Sequence, residues 1–126
     1  VFIQAKNLHY GMDFCPAFWD WIVEQNGHGR VHSIEKVGDE LLAGKDDLAT
    51  WTAAQGSKFF LPPDQAMLGA LATISQWVHG QHYRPAAVTA FLQDADYYLV
   101  AHALAHKATV VTHEVASDGV KTVKIP

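Results

Sequence analysis

A single cysteine, Cys15, stands in the chain, which rules out an internal disulfide and any site built from several thiolates. A solitary thiol fits a reducing compartment, and a cytoplasmic protein is the expectation. Basic residues are scarce: 9 Lys and Arg against 13 Asp and Glu leave a net charge of −4. That balance excludes a protein that coats nucleic acid through a basic stripe. It leaves room for an acidic metal site, where a bound divalent ion offsets the local negative charge. Long apolar runs are missing too. The longest fall far short of the roughly 20 residues needed to span a bilayer, so no membrane association is expected. No basic-then-apolar leader opens the chain, and no export is expected. Repeats, low-complexity tracts and long linkers are absent, so one domain is the simplest partition.

What remains is ordinary globular material. Apolar residues make up 49% and charged residues 17% of 126 positions, enough for the core of one domain. Val1-Phe2-Ile3 reads as the tail of a strand, and Lys6 to Met12 as a polar, Gly-containing loop. Asp13 is placed to cap a helix through Phe14, Ala17, Phe18, Trp21 and Ile22 that stops near Asn26-Gly27. Val31 to Ser33 reads as a brief strand, followed by a helical pattern of Ile34, Val37, Leu41 and Leu42 that ends at Gly44. Asp46-Asp47 opens a helix through Leu48, Trp51 and Ala54, with Gly56 as its stop. The short apolar run Phe59-Phe60-Leu61 is closed by Pro62-Pro63. Asp64 then caps a long helix carrying Met67, Leu68, Leu71, Ile74, Trp77 and Val78 at helical spacing. Pro85 suits a first helical turn before Val88, Phe91 and Leu92. Asp94-Ala95-Asp96 opens the most regular helix, Tyr97 to His106. Thr109 to Thr112 reads as a buried strand, and Val120 to Ile125 as a second one with more alternation. Strands separated by helices predict an α/β fold with a parallel sheet between helices. Catalytic side chains gather at the carboxyl ends of such strands, where Thr112 and Glu114 fall.

Carboxylates sit at three element ends. Glu40 lies in the helix from Ile34 to Ala43. Asp94 and Asp96 lie at a helix start, where backbone N–H groups stabilise negative charge. Glu114 follows the run Val111-Thr112-His113. Oxygen donors of this kind suit Mg²⁺ or Mn²⁺, hard ions that activate water and stabilise charge on a phosphate during phosphodiester cleavage. Taken one at a time, each of these acids also reads as an ordinary solvated residue, and Asp94 or Asp96 as a servant of the helix dipole. Spacing alone does not bring them together.

The stretch Asp96-Tyr97-Tyr98-Leu99-Val100-Ala101-His102-Ala103, followed by Thr109-Val110-Val111-Thr112-His113-Glu114, resembles the late motif of PIN domains. There an Asp opens a helix rich in small residues, and a strand then ends in Val-Thr-x-Asp or Val-Thr-x-Glu. Val37-Gly38-Asp39-Glu40-Leu41 is similar to the middle motif, a helix carrying one Glu, and Val1-Phe2-Ile3 to the end of the first strand. Trp51 and Phe59-Phe60 make the chain look more like a bacterial PIN-like branch than a typical VapC-type toxin. The likeness runs in order along nearly the whole chain. It implies a helix-rich, three-layer α/β/α sandwich with a central, mainly parallel sheet. Residues 1–126 would form a single PIN-like domain lacking the start of its first strand, with that strand's Asp three places before Val1, and lacking its C-terminal end. The resemblance further implies an endoribonuclease dependent on Mg²⁺ or Mn²⁺. Glu40, Asp96 and Glu114 match the metal-site acids, Asp94 an auxiliary ligand, and Thr112 a hydroxyl that supports the site. Such an enzyme is expected to act on RNA as the toxin of a toxin–antitoxin pair, to be restrained by a protein antitoxin and to form a homodimer.

Two other readings compete. A catalytically inactive PIN-like domain would serve as a binding or regulatory module. An unrelated α/β protein would scatter its acids, with the carboxyl oxygens of Glu40, Asp96 and Glu114 more than about 8 Å apart, too far to share an ion through bonds of about 2.0–2.6 Å. Further features invite chemistry without establishing it. His102 and His106 stand one turn apart, a spacing seen in zinc sites, but no third ligand or general base is apparent and a structural or surface role is expected. His79 and His82 sit near a helix end, His28 and His32 bracket a turn, and His113 is expected to face away from Glu114 along the strand. Phe18, Trp19 and Trp21 cannot all point inward from one helix. Lys36, Lys45, Arg84 and Lys107 suit either solvent or the phosphates of a substrate.

Overall fold

The computed structural model describes residues 1–115, 119 and 121–124. Two units pack separately, Val1–Pro62 and Pro63–Pro126.

In the first unit the chain opens as a helical turn, α1 (Phe2–Gln4), which widens into a π turn over Ala5–His9. The expected strand tail at Val1-Phe2-Ile3 is therefore helical, and Lys6 to His9 are not loop. The reason is tertiary. The Phe2 ring lies 5.9 Å from those of Trp51 and Phe59 and 6.3 Å from that of Phe60. Val1 and Ile3 on either side stay half exposed. Lys6 then holds the turn against the start of another helix by pairing with Asp46 and, at 2.7 Å, with Asp47.

Helix α2 (Pro16–Gly27) starts at a proline, whose missing N–H would have had no helical acceptor there. Its cap is Cys15 rather than Asp13. Trp19 and Ile22 face inward, while Trp21 is half exposed. The Trp19 indole donates to the carbonyl of Tyr10 at 2.7 Å, so its one polar atom is satisfied in the core. The Asn26 amide donates to Val31 at 2.8 Å and to Lys58 at 3.2 Å, joining the end of α2 to both segments that lead into the sheet.

That sheet pairs β1 (Ser33–Ile34) with β2 (Phe60–Leu61) in parallel, Ser33 opposite Phe60 and Ile34 opposite Leu61. Between them run α3 (Glu35–Ala43), α4 (Asp47–Gln55) and a 3₁₀ turn, Gly56–Lys58. A parallel pair needs such a crossover, because a two-residue hairpin joins only antiparallel strands. Gly38 lets α3 lie on β2: a Cβ there would stand 3.0 Å from the Phe60 ring. Asp46 caps α4, accepting from Ala49 N–H at 3.0 Å. Trp19, Ile22, Leu41, Leu48, Phe59 and Phe60 form the core, with Phe59 wholly enclosed.

The second unit is helical through most of its length. Asp64 accepts from Met67 N–H at 3.0 Å and starts α5 (Gln65–His79). Pro85 opens α6 (Pro85–Gln93). Asp94 ends α6 and caps α7 (Ala95–His106), accepting from Asp96 N–H at 3.2 Å. Ala70, Ile74, Val78, Val88, Phe91, Tyr97 and Ala101 form the core. The Tyr97 hydroxyl donates to the Leu71 carbonyl at 2.7 Å, tying α7 to α5, and burial raises its pKa. Lys107 ends α7 in the left-handed conformation, φ 55°, and turns the chain away.

The run Thr109 to Thr112, expected as a buried strand, lies outside any ladder, and Val111 is 74% exposed. Burial nevertheless alternates: Val110, Thr112 and Glu114 are half-buried while Val111, His113 and Val115 are exposed. The second expected strand, Val120 to Ile125, falls partly on residues 120 and 125, outside those described, and 121–124 form a turn and irregular chain. The described chain is thus helix-rich α/β with a small parallel sheet. None of the described helices is long and apolar enough to cross a membrane.

Candidate metal centre

Two turns of backbone chemistry prepare an acidic corner in the second unit. Asp94 uses one carboxyl oxygen to cap α7, which holds Asp96 in the helix's first turn. There the unpaired amides carry partial positive charge, which favours a carboxylate. Downstream, the Thr112 hydroxyl accepts from Glu114 N–H at 3.1 Å, fixing the backbone from which the Glu114 side chain springs.

Asp96 records how these groups sit. Its pKa lies above that of an ordinary aspartate, first because the side chain is partly buried, then because the charges of Asp94 and Glu114 oppose its own. His113 acts in the opposite direction. A helix N-terminus alone would have lowered the value, so burial and crowding win over the dipole here. Asp94, Asp96 and Glu114 therefore share one electrostatic neighbourhood, and Thr112 supports it from the backbone. Every donor is a carboxylate oxygen, and a carboxylate that resists its own charge is one that a hard dication would relieve. Within either unit, among the described residues, no three His, Cys, Asp or Glu side chains already stand as ligands about a common point. The corner is an electrostatic grouping.

Glu40 belongs to the first unit. It lies on the exposed face of α3, turned from Gly38 and Leu41, which are buried.

The histidine pair has a structural use. His106 Nε2 lies 2.7 Å from Asp64 Oδ2, and the His102 and His106 rings sit 4.5 Å apart, with His102 buried. They join the last turn of α7 to the cap of α5, and the Asp64 carboxyl is held below the ordinary range by Met67 N–H and then by the charge of His106 and His102. The carboxylate partner of His106 was not legible from the one-turn spacing, since Asp64 lies far off in sequence and reads locally as a cap. His79 Nδ1 meets the Ser75 carbonyl at 2.7 Å within its own helix. A shallow cavity of about 230 Å³ between His79 and Thr89, also lined by Tyr83 and Val88, contains none of the acids. Lys6 pairs with Asp46 and Asp47, and its sequence context of Ala5 and Asn7 held no sign of that role.

The described chain is a helix-rich α/β protein whose first unit carries a parallel strand pair crossed over by helices and whose second gathers acids at a helix start. The whole chain, residues 1–126, matches the family described as a domain of unknown function, DUF4411, and the protein belongs to that family. No curated protein and no solved structure matches it.

Proposed function

We propose that the protein is a PIN-like endoribonuclease that uses Mg²⁺ or Mn²⁺ to hydrolyse phosphodiester bonds in RNA. The observation that carries this reading is geometric: Asp94 caps α7 and holds Asp96 in its first turn, with Glu114 near enough for its charge to act on Asp96. On this reading Asp96 and Glu114 hold the ion and Asp94 assists while capping α7; Glu40 of α3 is the further metal-site acid that the PIN resemblance implies. Thr112 keeps Glu114 in place through the backbone bond already described. When bound, such an ion supplies Lewis-acid activation of an attacking water and neutralises charge on the phosphate. The half-buried setting of Asp96 limits competition from bulk water for the same charge.

The resemblance of Asp96–Ala103 and Thr109–Glu114 to the late PIN motif supports the same reading, and with it a three-layer sandwich, a cytoplasmic location, a toxin's role, a restraining protein antitoxin and a homodimer. The test is an RNA-cleavage assay with Mn²⁺ or Mg²⁺, repeated in EDTA. Asp96→Asn and Glu114→Gln should each cut the rate by more than about 100-fold, the upper end of what even outer-sphere partners of a metal contribute. Glu40→Gln tests separately whether the first unit supplies a ligand. Cleavage indifferent to chelation and to Asp96→Asn would sink the mechanism. RNA binding without cleavage or metal dependence would point instead to a binding module.

A further inference from the structure

We draw no further inference here: the strongest candidate, the His102–His106–Asp64 cluster where the last turn of α7 meets the cap of α5, is accounted for by helix capping and a partly exposed ion pair, and nothing among the described residues shows what it would bind.

Discussion

Asp96 is the residue on which the functional reading turns, and its stability effect has a definite sign. Burial and like charge raise its pKa, so ionising it costs the fold. That cost is absent below the unfolded aspartate value of about 3.9, grows as pH rises to the folded value and is full at neutrality. Asp96→Asn should therefore raise the Tm of the metal-free protein at pH 7, but not at pH 3, in thermal unfolding followed by circular dichroism with EDTA. Mn²⁺ should raise the Tm of the wild type and leave that of Asp96→Asn almost unmoved. A residue serving only the helix dipole would respond the other way, with Asp96→Asn losing stability at pH 7. A second residue tests the core. Thr52 of α4 is buried, and its hydroxyl has no hydrogen-bond partner among the described residues. An apolar side chain of the same shape removes that unmet desolvation, so Thr52→Val should stabilise the protein by about 1 kcal/mol in urea unfolding.

At the scale of elements, capping chemistry was the most readable part of the chain. Asp46, Asp64 and Asp94 each start the helix expected of them, because a cap is decided by atoms within three residues of one another. Asp64 does two jobs, capping α5 and pairing with His106, and substitution separates them. Asp64→Asn keeps an oxygen for Met67 N–H and loses only an exposed ion pair, so its Tm should stay close to that of the wild type. Asp64→Ala should fall clearly below both and lose helical ellipticity. Equal losses for the two variants would mean that the pair with His106, and not the cap, holds α5. The strand at Thr109 to Thr112 was misread for a related reason. A β-branched run favours strand only where a partner and a covering surface exist, and Val111 and Val115 instead face solvent. The side-chain alternation in that run was legible, and it places Thr112 and Glu114 on the same half-buried side.

For the whole molecule, the carboxylates set the response to acid. Asp46 is held below the ordinary range by Lys6 and then by Ala49 N–H, and Asp64 by Met67 N–H and then by the histidines. Groups with lowered folded pKa values stabilise fully above the unfolded value and lose that contribution as pH falls through the folded one. The urea midpoint should drop as pH falls below about 4, and Asp46→Asn with Asp64→Asn should flatten that drop. Asp96 has the opposite slope above about pH 4, where falling pH relieves its cost, so the double variant that keeps Asp96 should show that rise more clearly. An unchanged acid profile in the double variant would remove both pairs from the account.

By itself the sequence determined where most helices begin and end, and that the chain would be a helix-rich α/β protein. These follow from spacing, caps and proline, all local in the chain. Tertiary structure decided the rest. It turned Val1-Phe2-Ile3 into helix by giving the Phe2 ring an aromatic nest of Trp51, Phe59 and Phe60. It chose Trp19 over Trp21 for the core, and it gave His106 a carboxylate. It also set the charge balance of Asp96, because burial and the field of Glu114 depend on groups that meet only when the chain has folded.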